Sequence, residues 1–273
     1  MKKKVWGMYF SGTGTTKRIV THLGKVLSDK FEVDFEEYNF TFKKVRSLEK
    51  KFNKNDIVIL GVPVIAGRVP NVLLKYLDTI IGNGALAIPV VLYGNRNYDD
   101  ALIELRDILK KDGFNPIAAG AFIGEHSFSK TLGKNRPDEK DLAIATKFAD
   151  DIFNKISASS FDSNKLIEVN GTPYPYRYYY KPRDSKGVAV DIRKVKPLTN
   201  DNCINCGLCA SICPMESINP ENVSEINGIC IKCCACVKEC PVGAKYYDDA
   251  NYLYHQHELE DQFTRRAEPE LFI

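Results

Sequence analysis

The chain has 273 residues, 44% apolar and 27% charged, with a formal net charge of +3; that composition is ordinary for water-soluble globular proteins, and the length predicts two domains. No apolar run approaches the roughly 20 residues of a membrane span, and Lys2, Lys3 and Lys4 precede only a short run over residues 5–10. That run is too short for a secretory signal, so the expectation is a cytoplasmic protein with no membrane partner.

Short β-branched and aromatic runs over residues 5–10, 31–38, 56–61, 88–93 and 115–123 read as five strands. Helical patterns fall between and after them, over residues 15–28, 71–81 behind Pro70, 98–111 and 138–156. Strand and helix in alternation predict a parallel α/β sheet with helices on both faces. Trp6 alternates within the first strand and reads as core. Residues 157–198 break the rhythm with a Ser-rich opening, Pro173, Pro175 and Pro182, and Tyr174, Tyr176, Tyr178, Tyr179 and Tyr180. They predict an extended linker that packs its rings on one domain, with cofactor contact as the alternative.

All nine Cys lie between Cys203 and Cys240. Clustering of this kind in a chain without a signal sequence points to metal rather than to disulfides. CINCGLCASICP recurs as CIKCCACVKECP, so Cys203, Cys206, Cys209 and Cys213 each have a counterpart 27 residues on in Cys230, Cys233, Cys236 and Cys240. Two residues between ligands let a chain wrap three corners of a cubane while its amides face the sulfurs. Zinc is the alternative, but zinc ribbons use separated CxxC pairs and need no repeated triplet ending in CP. Cys234 competes with Cys233; the repeat aligns Cys233 with Cys206 and Cys234 with Gly207. Cys234 therefore reads as a small buried residue beside the cluster, a redox or alternate-ligand role being the minor alternative. Residues 248–273 read as a charged tail with a short helix over 252–266, and no chemistry is assigned to them.

The segment YFSGTGTTK ends the first strand and leads into the first helix, where free amides and the helix dipole favour an anion. Lys17 stands where a dinucleotide fingerprint needs a third Gly, and GxxxxGK is absent. Ser11, Thr13, Thr15 and Thr16 around Gly12 and Gly14 offer hydroxyls and amides that suit a terminal phosphate monoester. GVPVIAGRVP (61–70) and YGNRNYDDAL (93–102) follow the third and fourth strands, at the carboxyl ends where open α/β sheets bind ligands.

The repeat closely resembles bacterial two-cluster ferredoxins, and SGTGTT resembles the FMN phosphate loop of flavodoxins. Together with GEHSF (124–128) and the Tyr-rich linker, the chain resembles the flavodoxin and ferredoxin fusion proteins of anaerobes over nearly its whole length. The resemblance implies a flavodoxin-like doubly wound five-stranded parallel sheet over residues 1–156, the linker over 157–198, a small α+β two-cluster ferredoxin-like domain over 199–247 and the tail over 248–273. It implies one [4Fe-4S] cluster on Cys203, Cys206, Cys209 and Cys240, and a second on Cys230, Cys233, Cys236 and Cys213. It also implies FMN, with Pro63, Val64, Ile65, Ala66, Gly67 and Arg68 along one side of the ring. Tyr98 is the residue expected to stack, with a surface aromatic as its bland alternative. Tyr93, Gly94, Asn95, Arg96 and neighbouring backbone would meet the pyrimidine edge. Ile65 and Ala66 stand where a bulky aromatic covers the ring in many flavodoxins, which suggests an open face.

Arg68 could stabilise a reduced anionic flavin or be a solvated loop residue. His126 could deliver a proton or be structural. His22, His255 and His257 form no metal pattern. Each oxidised cubane with its thiolates adds roughly −2 and an FMN phosphate about −2, so the loaded protein would be mildly acidic and a nucleic-acid partner is not expected. The expected function is electron transfer between a redox partner protein, such as a ferredoxin or a reductase, the clusters and FMN. An FMN-dependent reductase of a small organic acceptor is the alternative, and a redox sensor the weakest reading.

Overall fold

A computed structural model describes residues 3–273; Met1 and Lys2, part of the basic start noted above, lie outside them. The N-terminal part runs β1 (Lys4–Tyr9), α1 (Thr15–Phe31), β2 (Asp34–Asn39), β3 (Ile57–Pro63), α2 (Asn71–Leu77), β4 (Leu86–Tyr93), α3 (Ala101–Lys111), β5 (Asn115–Pro116), β6 (Ala119–Ile123) and α4 (Glu139–Ser157). Then come β7 (Leu198–Thr199), α5 (Leu208–Ser211), α6 (Ala235–Lys238), β8 (Lys245–Tyr246), α7 (Ala250–Gln262) and β9 (Glu270–Phe272). Among the described residues no helix is long and apolar enough to cross a membrane.

The main sheet has the order β2-β1-β3-β4-β6-β9, with β5 paired to β4. Its first five strands are parallel and, counted in chain order, lie 2-1-3-4-5, the flavodoxin-like doubly wound arrangement. The central β3 and β4 are almost wholly buried, so their sequences IVILGVP and LAIPVVLY are continuous apolar runs, whereas the edge strand β2 exposes Asp34, Glu37 and Asn39. Two cores result, one on each face. Met8, Val58, Leu60 and Val91 pack with α2 and α3, while Ile57, Ile59, Ile88 and Val90 pack with α1 and α4. On α1, Ile19, Val20, Leu23 and Leu27 form the buried stripe. Asp138 caps α4 in a capping box with Asp141.

Several boundaries differ from expectation: α1 continues to Phe31, where Glu32 at φ 51° ends it, so β2 begins at Asp34 and not at residue 31. The fifth expected strand divides into β5 and β6, because Pro116 has no N–H to donate and the chain bends through Ile117 and Ala118. α2 stops at Leu77, and Ile81 instead donates its N–H to the Lys50 carbonyl at 3.0 Å. α3 starts at Ala101 because Asn95 and Asp99, with φ of 66° and 46°, hold the preceding loop in left-handed turns. α7 lies two to four residues earlier than expected at both ends, over Ala250–Gln262.

The C-terminal residues do not hang free. β9 adds antiparallel to β6 and closes the sheet edge. The Asn95 side-chain amide donates to the carbonyls of Phe263 (2.7 Å) and Arg265 (2.6 Å), and its oxygen accepts from the Ala267 N–H at 3.1 Å. Arg136 donates to the Ala267 carbonyl at 2.6 Å and forms a two-pronged pair with the fully buried Asp141. The sheet therefore draws strands from both ends of the chain, and the cysteine segment lies between them in sequence. Arg136→Ala would leave the buried Asp141 carboxylate with only Arg266, at 3.6 Å, as a cationic partner, and chemical denaturation should show a loss of about 3 kcal/mol.

Candidate redox centre

The two cysteine segments fold as one unit repeated. β7 pairs antiparallel with β8. Each CxxCxxCxxxCP run winds into a four-residue helix, α5 or α6, whose N-cap is left-handed: Gly207 at φ 72° and Cys234 at φ 57°. Two further left-handed pairs keep the same 27-residue offset, Asn205 (51°) with Lys232 (56°) and Glu216 (51°) with Gly243 (62°). The Cys213 Sγ accepts from the Ser217 N–H at 3.5 Å, and the Cys240 Sγ from the Ala244 N–H at 3.2 Å. The duplication thus extends to backbone conformation and to amide–sulfur contacts.

Two cavities lie in this unit. The cysteines lining one are Cys213, Cys230, Cys233, Cys234 and Cys236, and those lining the other are Cys203, Cys206, Cys209 and Cys240. Each draws one cysteine from the other repeat, Cys213 in the first and Cys240 in the second. Among the described residues no group of three or more His, Cys, Asp or Glu side chains is placed to hold a single metal ion. A cubane takes four sulfurs; the second cavity offers four, and the first offers five, of which the repeat sets Cys234 apart as the counterpart of Gly207. Burial pushes the Cys233 thiol up to about 12 and raises Cys236 as well, so a metal bound through them would have to displace protons there. Cys240 moves the other way, because amides of residues 242–245 outweigh its burial. Two buried Lys lie in the second repeat: Lys245 lines the second cavity, and Lys232 donates to the carbonyls of Arg193 (2.9 Å) and Cys230 (3.2 Å).

Cys234 is 3% exposed, and its Sγ stands 3.5 Å from the Tyr252 hydroxyl. Burial first, against that hydroxyl contact, pushes its thiol up to about 11. It occupies the left-handed position taken by Gly207 in the first repeat, beside the first cavity.

The first cavity abuts the loop after β1. A methyl group built on Gly12 would stand 3.0 Å from Cys233 Cβ and 3.4 Å from its Sγ. Ser11 donates its N–H to Thr41 Oγ1 (2.9 Å) and accepts from the Lys17 N–H (3.1 Å), which holds the loop open at the start of α1. Gly14, at φ 84°, is the N-cap and supplies no side-chain cap. The amides of Gly12, Thr13, Gly14, Thr15 and Thr16 consequently find no acceptor among the described residues, the arrangement a phosphate needs. Thr16 is buried, and Thr13 and Thr15 are half-buried.

The loop after β3 turns tightly. Ile65 and Arg68 exchange N–H and carbonyl at 3.1 and 3.2 Å across Ala66 and Gly67, whose φ values of 52° and 76° mark a type I′ turn. Pro63, Val64, Ile65 and Ala66 remain half-buried, and the amides of Ala66, Gly67 and Gly94 are free of acceptors among the described residues. These backbone donors fit a flavin edge. Several side chains expected there are committed elsewhere.

Arg68 is neither a solvated residue nor a free charge. It grips the buried Glu104 carboxylate through two bonds of 2.7 Å, donates to the Arg177 carbonyl at 2.5 Å, and lies between the rings of Tyr176 and Tyr179. The Asn95 side chain serves the C-terminal residues, as described. Tyr98 is 4% exposed, donates to Glu270 at 2.6 Å and packs at 5.6 Å on Tyr93, itself buried, so the ring is presented to the protein interior. Arg96 pairs with Asp99 and covers the Tyr180 ring at 4.7 Å.

The linker supplies what the loops lack. Tyr180 donates its N–H to the Ala66 carbonyl at 2.9 Å and stacks on His255 at 5.6 Å. Tyr179 donates to the Val69 carbonyl at 3.0 Å, and Arg177 pairs with the buried Asp100. Nothing local in the sequence marks Tyr180 above its four neighbouring tyrosines.

His126 touches the same region. A methyl group on Gly94 would come within 2.2 Å of its ring. Its Nδ1 accepts from the Phe128 N–H at 3.1 Å, so the proton resides on Nε2. Burial first, then the Lys238 charge, lowers its pKa to about 3, which leaves a neutral donor rather than an imidazolium acid. Lys238, on α6 between Cys236 and Cys240, reaches across to Glu125 and to the carbonyls of His126 (2.8 Å) and Ser129 (3.0 Å). On the opposite flank Arg46 donates to the Pro214 carbonyl at 3.0 Å.

NMR of His126 should show the neutral Nε2–H tautomer down to about pH 4; a midpoint near the ordinary 6.5 would contradict the packing. Lys238→Ala should cost on the order of 2 kcal/mol in chemical denaturation, because a half-buried Glu125 is left unpaired. The Glu125 carboxyl is opposed by burial but held below its ordinary range by Lys238. The pair's contribution is therefore present above about pH 4.5 and lost as pH falls below it, a dependence the variant should lack.

Residues 197–219 match the family model for the 4Fe-4S binding domain, so the chain carries a 4Fe-4S binding motif. No curated protein matches it. Among solved structures the chain is similar to a flavodoxin from the domain Archaea, at 16% identity and a TM-score of 0.40, over 57% of this chain and 100% of that one. A mutant flavodoxin of Fusobacterium nucleatum bound to flavin mononucleotide matches at 20% identity and 0.38, over 57% and 97%. An NADH:FMN oxidoreductase in its apo form matches at 18% identity and 0.41, over 64% and 98%.

Proposed function

We propose that this chain is an electron-transfer flavoprotein in which two [4Fe-4S] clusters exchange single electrons with FMN, linking a low-potential redox protein to a second acceptor. The carrying observation is the contact between Gly12, in the loop read as the phosphate site, and Cys233, a ligand of the cavity nearest it. Clusters pass one electron at a time and a flavin holds one or two, so the combination converts single electrons to pairs.

In this reading Ser11 to Thr16 hold the phosphate through amides and hydroxyls, and the half-buried Pro63 to Ala66 turn and the Gly94 amide border the ring. Cys203, Cys206, Cys209 and Cys240 hold the outer cluster, where Cys206 is exposed. Cys213, Cys230, Cys233 and Cys236 hold the inner one. Lys238 and Arg46 keep the inner site against the phosphate loop. His126, half-buried and neutral, orients rather than titrates. The fusion family of anaerobes fits this assembly, with a cytoplasmic redox protein as partner. The small-substrate reductase has less support, because Tyr180 stands beside Ala66 where Ile65 and Ala66 alone would leave a face open.

Protein purified under argon should contain about eight iron and one FMN per chain, and fewer than about five iron would contradict the two-cluster reading. Cys234→Ala should keep the full iron content while Cys233→Ala loses part of it. Thr13→Glu should expel FMN without loss of iron.

A further inference from the structure

The two cavities are related by the repeat, yet only one has a phenol hydroxyl at a ligand. Tyr247 is 9% exposed and lines the first cavity, and its hydroxyl stands 3.6 Å from Cys230 Sγ. Its ring is held by a stack on Tyr252 at 4.2 Å and 20°, and Tyr252 is itself 1% exposed with its hydroxyl on Cys234. The residue 27 positions earlier is Pro220, so the second cavity has no counterpart. A thiolate bound to iron has no proton to give, and Tyr247 is then the donor of that bond.

We infer that Tyr247 is a tuning residue for the inner cluster: its O–H donates to Cys230 Sγ, stabilises the more negative reduced cluster, and raises the potential of that cluster alone. Hydrogen bonds to cluster sulfurs are among the main levers on iron–sulfur potentials. Cys234 belongs to the same device. Together with Tyr252 and Tyr247 it forms a small closed cluster, which fixes the phenol against rotation. The ninth cysteine thus acts through packing, in keeping with its place outside both ligand sets.

The inference rests on the two-cluster reading, and iron content with the number of EPR signals tests that reading separately. In an anaerobic redox titration followed by EPR, Tyr247→Phe should retain all the iron and both signals. One cluster potential should move downward while the other and the flavin stay in place. Tyr252→Phe, which removes a hydroxyl facing a sulfur that is no ligand, should move neither. Unchanged potentials in Tyr247→Phe, or an equal shift in Tyr252→Phe, would overturn the inference. If Tyr247→Phe fails to assemble its cluster, a monofluorinated tyrosine placed at position 247 strengthens the donor. It should raise the same potential, and no change there would equally overturn the assignment.

Discussion

The arrangement of this protein depends on one half-buried ammonium group. Lys238 leaves a four-residue helix set among Cys233, Cys236 and Cys240 and ends among the Glu125 carboxylate and the carbonyls of His126 and Ser129 on the far side of the interface. A lysine taken out of water tolerates little displacement, because each lost acceptor leaves charge unsolvated. The contact therefore fixes where α6 sits, and with α6 the position of Cys233 against Gly12. Arg46 makes the matching tie at Pro214 on the other flank. Between these ties the loop with free amides and the nearer cysteine cavity share a wall.

The cysteine unit combines symmetry with a few departures from it. Three left-handed positions, two short helices and two amide–sulfur contacts repeat at the 27-residue offset, as expected if both halves must wrap the same object. One departure, Lys245 in place of Ile218, falls at the outer cavity, and others fall at the inner one. Cys234 replaces Gly207, Tyr247 replaces Pro220, and apolar surroundings replace the exposed Ile204 and Cys206. One half exposes Ile204 and Cys206 to solvent, while the other lies against the loop after β1.

Local signals carried much of this from the sequence alone. The cysteine spacing, the apolar runs of β3 and β4 and the small-residue turn before α1 are short-range patterns whose physics lies within a dozen residues. Side-chain commitments were not legible in that way. Asn95 and Tyr98 look like flavin contacts until residues about 170 positions away arrive to claim them, through Phe263, Arg265, Ala267 and Glu270. Arg68 looks free until Glu104 and the tyrosine linker enclose it. The C-terminal segment reads as a charged tail because β9 is only three residues long and pairs with a strand far back in the chain. Lys238 and Tyr247 lie within or beside the cysteine motif, where the ligand pattern draws attention away from the residues between.

The central claim is that the inner cluster and the flavin exchange electrons within one chain. Rapid mixing of the anaerobic holoprotein with less than one equivalent of a one-electron reductant, observed at cluster and flavin wavelengths, tests it most directly. The account predicts cluster reduction first, followed by flavin reduction at a rate independent of protein concentration. A flavin rate that rises in proportion to protein concentration would mean that the electrons travel between molecules, and would contradict it.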